Sequence, residues 1–389
     1  MKIYRSNRMK PLADQLVEVL RTPVDASATP LERMKQRDMV VVQSQGMARW
    51  LDMHIAEQLG ICANIDFPFP REVVRQSVCS VVGVEDSVWD GGQPDSLLWP
   101  VLESLAEHLD DPCFETLTGY LTGRGGSAER ALGTADGILL AAEVANVFDR
   151  YLSYRPDMVL QWEQQQGGDD WQPKLWRTLR QRMDADHIAA LFSEFQKAIA
   201  EGNATPGNRL PQRICLFGIS TLPPFFLEVF SSLSQIRDVH LFVLCPSNEY
   251  WGDIRSKREK ARLLRQMEKR GDIAELDALY LNEGNPILAS FGRLGRDFQV
   301  VLEGMDSASP YVEADIELFS EPVTAVPTML NVLQSDILHL RHRGIEGDAG
   351  SAPLLDCSDE TAYPERGEPR VPSIQFHVCH GDLRQVEAI

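Results

Sequence analysis

The chain has 389 residues, 43% hydrophobic and 24% charged, with a formal net charge of −19; that length accommodates two or three domains and a sizeable core. So acidic a balance argues against a free-standing, nonspecific nucleic-acid binder, whose footprint is basic, while leaving room for a local channel lined with arginines. No apolar run reaches the roughly 18 residues that a membrane span needs, and the N-terminus lacks a signal-peptide layout. The seven cysteines contain no C-x-x-C pair, and several lie in apolar segments, the pattern of reduced, buried thiols in a cytoplasmic protein.

Lys2–Ser6 reads as a short strand, followed by a helix from about Pro11 to Leu20. Met39–Ser44 is a second strand, in which the β-branched run Val40-Val41-Val42 gives way to Gln43-Ser44-Gln45-Gly46. Met47, Trp50, Leu51, Ile55 and Leu59 then recur at helical spacing and predict a helix over Met47–Leu59. The turn of this strand–turn–helix unit falls at the carboxyl end of a strand, where open α/β sheets bind ligands. It offers two amides and a hydroxyl in place of a phosphate-binding Gly-x-x-x-x-Gly-Lys loop, groups suited to reading polar edges such as those of nucleotide bases.

Ala63–Pro70 is a rigid non-helical passage, because its two prolines hold the preceding residues extended. From about Asp95 to Ala200 the pattern is helical throughout, with apolar periodicity over Leu97–Leu109, Ala131–Tyr154, Pro173–Met183 and His187–Ala200. This is the pattern of an all-helical insertion between strands of an α/β core. Strands resume at Arg213–Ser220 and Val239–Cys245. The single helix between them, Phe225 to about Leu233, suits a parallel, right-handed crossover. Ser256–Leu281 is a charged helical region and Leu330–His342 another helix. Gly344–Pro372 has linker composition, and Ile374–Val378 reads as a final strand followed by a helix start. A chain that stops one turn into a helix reads as a fragment of something longer.

Candidate chemistry is sparse. Gly218-Ile219-Ser220-Thr221-Leu222 half-matches a nucleophile elbow but lacks the second glycine and a nearby base. His377-Val378-Cys379-His380 has metal-ligand residue types without four ligands at zinc spacing, so a packed strand end is the simpler reading. The first strand runs into Ser6-Asn7-Arg8-Met9-Lys10 without a glycine. Later strands end in Gly218-Ile219-Ser220 and Cys245-Pro246-Ser247 without an acid. A P-loop-type core with these strand ends has lost its nucleotide site. Positive charge gathers at Arg177, Arg180 and Arg182, over Arg255–Arg270, and at Arg293 and Arg296; solvated helix faces and a nucleic-acid contact both fit it. Tyr250–Ile254 and Gly284–Asp297 are dense in aromatics, glycine and arginine. They suit stacking on bases, and equally a packed core with Trp251 and Phe291 inside it.

The chain resembles the N-terminal third of the RecC family, the gamma subunits of bacterial exodeoxyribonuclease V (RecBCD). The resemblance is carried by Ile3-Tyr4-Arg5-Ser6-Asn7-Arg8, Val42-Gln43-Ser44-Gln45-Gly46-Met47-Ala48, Ala63-Asn64-Ile65-Asp66-Phe67-Pro68 and Phe148-Asp149-Arg150-Tyr151-Leu152 with Tyr154-Arg155-Pro156-Asp157. Tyr250–Ile254, the 284–297 segment, Gln334–Leu338 and Phe376–His380 continue it in order. It implies an α/β fold: a degenerate superfamily 1 helicase-like, P-loop NTPase-like parallel sheet without Walker motifs, over residues 1–75 and 205–345. A helical insertion would occupy 76–204, a linker 346–373, and the start of a second helicase-like domain 374–389. It further implies a non-catalytic subunit that uses no cofactor of its own, ATP and magnesium serving RecB-like and RecD-like partners. Such a subunit holds the motors, helps split the duplex, guides the 3′-ended strand and scans it for the Chi recombination signal.

The resemblance assigns Chi reading to Gln43, Gln45 and Arg49 in the turn and the helix behind it, Phe69 in the Pro-rich passage, and Asn146, Val147, Asp149 and Arg155 in the insertion. Amides and guanidinium groups can pair with base edges, and Phe69 can pack on a base; for Asp149 and Arg155 an ion pair within one helix is the plainer alternative. The sequence departs from the family pattern at Gln45, Arg49, Arg75 and Ile188, where Thr, Gln, an aromatic and Arg are usual. A different preferred sequence follows as an expectation. An active helicase or nuclease domain, and a purely structural interaction domain, are the competing functional readings. No membrane partner is implied, and the isolated piece is expected to be a monomer.

Overall fold

The central strands form because Val40-Val41-Val42 and Ile214–Phe217 are continuous apolar runs and Val239–Val243 is one broken only by His240, the signature of strands covered on both faces. In the computed structural model they become β2 (Asp38–Val41), β4 (Arg213–Phe217) and β5 (Asp238–Leu244), and every residue of β4 is buried. The structure describes the chain apart from residues 28, 30, 32–35, 86–88, 90–92, 124–126, 167, 169, 184–185, 205–209, 271–283, 309–311, 323–326, 344–350, 353–371, 382–383 and 387–389. With β1 (Lys2–Ser6), β3 (Ile65–Asp66) and β6 (Ala314–Glu317), these strands make a six-stranded sheet in the order β3-β2-β4-β5-β1-β6. β2 pairs parallel with β3 and β4, and β4 pairs parallel with β5.

Two compact units make up the chain. The first comprises Met1–Ile3, Leu16–Phe242 and Ser309–Ala314. In it the starts of β2, β4 and β5 are in register, Asp38 beside Arg213 and Arg213 beside Asp238. Arg213 is 3% exposed, 3.5 Å from Asp38 and 3.8 Å from Asp238, and it donates to the Thr22 carbonyl. Burial raises the Asp38 carboxyl, with Arg213 opposing, while the hydrogen bond from His240 lowers that of Asp238.

β2 and β3 are followed in the chain by α2 (Gln45–Leu59) and α3 (Pro70–Val82), each closed by a left-handed glycine, Gly60 at φ 83° and Gly83 at φ 81°. A run of helices follows: α4 (Pro94–Glu107), α5 (Glu115–Thr122), α6 (Ala128–Leu132), α7 (Ala135–Tyr154), α8 (Pro156–Glu163), α9 (Trp171–Arg182) and α10 (Ile188–Ala200). α4 packs along α7, and α10 along α3. The crossover helix α11 (Pro224–Leu233) packs on α3, α7 and α10, which ties the helical layer to the sheet. Phe225 of α11 meets Phe192 of α10 edge-on at 4.4 Å.

The second unit comprises Tyr4–Gln15, Val243–Ala308 and Asp315–Ile389. It contains α12 (Lys257–Arg270), α13 (Pro286–Phe291), α14 (Arg293–Ala308) and α15 (Met329–Leu338), with a small parallel pair, β7 (His342–Arg343) and β8 (Ser351–Ala352). The helix α1 spans Met9–Arg21, so only two residues separate it from β1. That turn is filled by its own side chains. Ser6 Oγ accepts from the Arg8 N–H and donates to the Leu318 carbonyl, and Asn7 exchanges two hydrogen bonds with the Ser320 backbone, at 2.8 and 3.1 Å.

Several predicted elements change. Ile374–Val378 is not a strand: it forms no ladder among the described residues, and Phe376 and Val378 are each 91% exposed. Alternating side chains make a strand only where a neighbour completes its hydrogen bonds. The helix predicted over Ala131–Tyr154 is two, broken at Gly133-Thr134, because the chain doubles back until Gly137 touches the Leu132 backbone. The strand predicted to Ser44 ends at Val41, and the helix predicted to His342 ends at Leu338. Of the charged region predicted over Ser256–Leu281, residues 257–270 are α12 and 271–283 lie outside the described residues, as does most of the linker at 344–372.

Candidate nucleic-acid interface

At the carboxyl end of β2 the chain leaves the sheet through Val42, whose N–H donates to the Pro68 carbonyl at 3.1 Å. This bond draws the Pro-rich passage alongside the turn. Ser44, extended at φ −151°, caps α2, its Oγ accepting from the Met47 N–H at 3.1 Å. Gln43 is exposed but engaged: Nε2 donates to the Thr221 carbonyl at 2.9 Å, and Oε1 accepts from the Ser220 N–H and hydroxyl at 3.3 and 3.2 Å. It thereby clasps the segments that follow β2 and β4.

Gln45 and Arg49, one helical turn apart and both exposed, line a groove of ≈ 520 Å³ with Gly46, Asp52, Ile65 and Phe67. The groove therefore presents an amide, a guanidinium and a carboxylate beside an aromatic wall. Trp50, 38% exposed, stacks on His54 with ring centroids 5.6 Å apart.

Phe69 lies just beyond, 42% exposed, at the N-cap of α3. Arg71 in the first turn of α3 reaches Asp149 of α7 with both terminal nitrogens, at 2.7 and 3.3 Å. The strut fixes the Phe69 end of α3 against the helical layer. It also answers the question of an Asp149–Arg155 pair: six positions apart they do not share a helix face, and Asp149 takes Arg71 instead. Arg155 is exposed at the junction of α7 and α8, while Asn146 and Val147 are partly buried on α7. Arg75 pairs with Glu72, and Ile188 is buried in α10. The turn, the Pro-rich passage and Asp149 are thus linked through Val42 and Arg71, and these links do not include Arg155. Phe67, Arg71 and Ser220 belong to this surface without having been among the residues assigned to reading; for Arg71, its place just after Pro70 at a helix start was the available clue.

The second unit shows what the glycine–arginine segment does. Trp251 is 2% exposed and packs with Ile254, Leu288 and Ala289. A Cβ on Gly292 would come 2.9 Å from the Trp251 ring, and one on Gly295 would come 3.3 Å from it. Arg296, 2% exposed, donates to the Ile254 carbonyl at 2.7 Å and to Glu259 at 2.9 and 3.2 Å. Packing explains these residues, but not Phe291, which is 87% exposed and outside the core.

A parallel α/β sheet carrying a helical layer, with its polar turn at the carboxyl end of β2, sets the fold class. The chain matches the RecC N-terminal domain over residues 1–340 and belongs to that family. It is similar to the RecBCD enzyme subunit RecC of Escherichia coli K12, at 31% identity over 418 residues, covering 100% of this chain and 35% of that protein. The same subunit of Haemophilus influenzae is 28% identical, with 100% of this chain and 36% of the relative covered. That of Mycolicibacterium smegmatis is 29% identical, with 100% and 31% covered. The chain spans about a third of the length of these curated relatives.

Proposed function

We propose that this chain is the N-terminal part of a non-catalytic subunit of a RecBCD-type complex in double-strand break repair. The subunit scaffolds RecB-like and RecD-like partners in the cytoplasm, helps split duplex DNA, and scans the 3′-ended strand for a Chi-type sequence. The observation that carries the DNA-reading part is the groove beside Gln45 and Arg49. A guanidinium pairs with the acceptor edge of guanine and a carboxamide with adenine, each good pair being worth about 1–3 kcal/mol of discrimination; Phe67 and Phe69 supply apolar faces beside them. Gln43 positions this surface, because its amide is already bonded to Ser220 and Thr221. The short turn after β1, closed by Ser6 and Asn7 and lacking glycine, supports a subunit that uses no ATP or magnesium of its own. Asp149 serves as the partner of Arg71 that holds Phe69 in place, Asn146 and Val147 extend the surface along α7, and Arg155 joins it at the junction that follows that helix.

The test reconstitutes the full-length protein with its partners and maps where degradation of a DNA substrate attenuates. Gln45→Ala and Arg49→Ala are expected to abolish or move the attenuation site while leaving unwinding intact. An unchanged map in both variants overturns the assignment.

A further inference from the structure

A second charged surface lies in the second unit and uses none of the residues assigned so far to reading sequence. Arg258, Arg262 and Arg265 recur on α12 at intervals of four and three, and so share one face. With Glu259, Ser290 and Arg293 they line a groove of ≈ 690 Å³. All four arginines are exposed. Among the described residues Arg258, Arg262 and Arg265 make no ion pair or hydrogen bond, and Arg293 has only a 3.8 Å approach to the exposed Asp297. The carboxylate in the groove is already committed, since Glu259 accepts from the buried Arg296 and also faces Arg255 at 3.7 Å. What remains open is cationic, on a chain whose net charge is −19.

Like charges at these spacings repel along a helix, and an anion laid across the stripe turns that repulsion into attraction. Seven residues advance about 10 Å along a helix, close to three phosphate-to-phosphate steps of about 3.4 Å each along one strand. The planar guanidinium fork matches two phosphate oxygens at once. No amide lines the groove, so it has few means of telling one base from another.

We propose that the α12–α13 groove binds the phosphate backbone of DNA without regard to sequence, as a second contact separate from the reading turn. Choosing DNA over a carboxylate-rich polypeptide rests on the function proposed above. Phe291, exposed on α13 between Ser290 and Arg293 in the chain, is available to a base of the held strand.

Fluorescence anisotropy of the 389-residue chain with labelled single-stranded oligonucleotides of several sequences, titrated with salt, tests this. The triple variant Arg258→Ala, Arg262→Ala, Arg265→Ala should reduce the slope of log affinity against log salt by about 2, at about 0.7 for each phosphate no longer neutralised, equally for every sequence. The corresponding triple lysine variant should retain most of the slope, and circular dichroism should show all variants folded. An unchanged slope in the alanine variant overturns the proposal. So does a wild-type chain that fails to bind any oligonucleotide at about 50 mM salt. Polyglutamate that displaces more readily than oligonucleotide would assign the groove to an acidic polypeptide and overturn the DNA assignment. Failure here is distinguishable from failure of the reading turn, because Arg49→Ala is scored by attenuation in the reconstituted complex and the groove by salt slope alone.

Discussion

Glu163, at the end of α8, is the acceptor on which two buried donors depend. The His187 side chain is 0% exposed and caps α10, its Nδ1 accepting from the Ala190 N–H at 3.3 Å. The ring hydrogen is therefore on Nε2, which donates to Glu163 Oε1 at 2.5 Å, and Trp176 Nε1 donates to the same oxygen at 3.0 Å. Glu163→Ala strands both donors. A buried donor left unsatisfied costs about 1–3 kcal/mol, so the pair predicts a loss of about 2–6 kcal/mol, less if water enters the vacated space. Glu163→Gln keeps an acceptor oxygen and loses only the charge, for about 1 kcal/mol. Urea unfolding followed by circular dichroism measures both.

The pH dependence has a definite sign. Burial alone would raise the Glu163 carboxyl, but the hydrogen bonds from His187 and Trp176 outweigh it and hold the carboxyl below its ordinary value. A depressed folded value contributes stability above the unfolded value, about 4.3, and loses it as pH falls through the folded one. The advantage of wild type over Glu163→Gln should be complete at about pH 7 and should shrink as pH falls below the unfolded value and through the depressed folded one. An alanine variant that unfolds at the wild-type urea concentration, or an advantage that grows on acidification, refutes the reasoning.

Gly292→Ala would place a Cβ 2.5 Å from the Leu288 carbonyl oxygen and 2.9 Å from Trp251. The overpacking should cost about 1–3 kcal/mol and alter the near-ultraviolet tryptophan bands, and an unperturbed spectrum would count against this packing. Arg296→Met removes the partner of both Glu259 and the Ile254 carbonyl. It should cost about 3 kcal/mol, the low end for a broken buried pair because Glu259 keeps some solvent, and a urea midpoint within error of wild type would contradict that. Burial, and then Asp52, push the Cys62 thiol up to about 12. Its alkylation by iodoacetamide near neutral pH should be slow and should accelerate in Asp52→Asn, and equal rates would remove Asp52 from the explanation.

How much of this was legible in the sequence follows from how local each cause is. β1, β4, β5 and the crossover helix were readable because apolar runs bounded by prolines and polar residues identify buried strands without knowledge of their neighbours. The turn at 43–46 was readable for the same reason, although Ser44 proved to be a helix cap. Strand β3 has two residues and β6 four, too few for a periodicity to register. The clasp between Gln43 and Ser220 spans 177 positions, and the Arg71–Asp149 strut spans 78. No local pattern reports that β2 and β4 are neighbours, because the helical layer intervenes in the chain. Ile374–Val378 failed in the opposite direction: its alternation was local and the partner a strand needs was not.

Gly46 offers the sharpest separation of fold from function in the turn. Glycine is usually retained in a structure where a side chain would collide or where φ is positive, and neither holds here: a Cβ at Gly46 would meet only Ser44 Oγ, at 3.8 Å. In the first turn of α2 a glycine costs up to about 1 kcal/mol relative to alanine, so the fold gains nothing from it. What its missing side chain leaves is open space in the groove beside Gln45 and Arg49, where a strand of DNA must come close if those residues are to reach base edges. Gly46→Ala should therefore leave urea stability unchanged or slightly raised while weakening or moving the attenuation site in the reconstituted complex. If the variant is as stable as expected and attenuates where wild type does, DNA does not approach the backbone at Gly46, and the reading surface lies elsewhere on the chain.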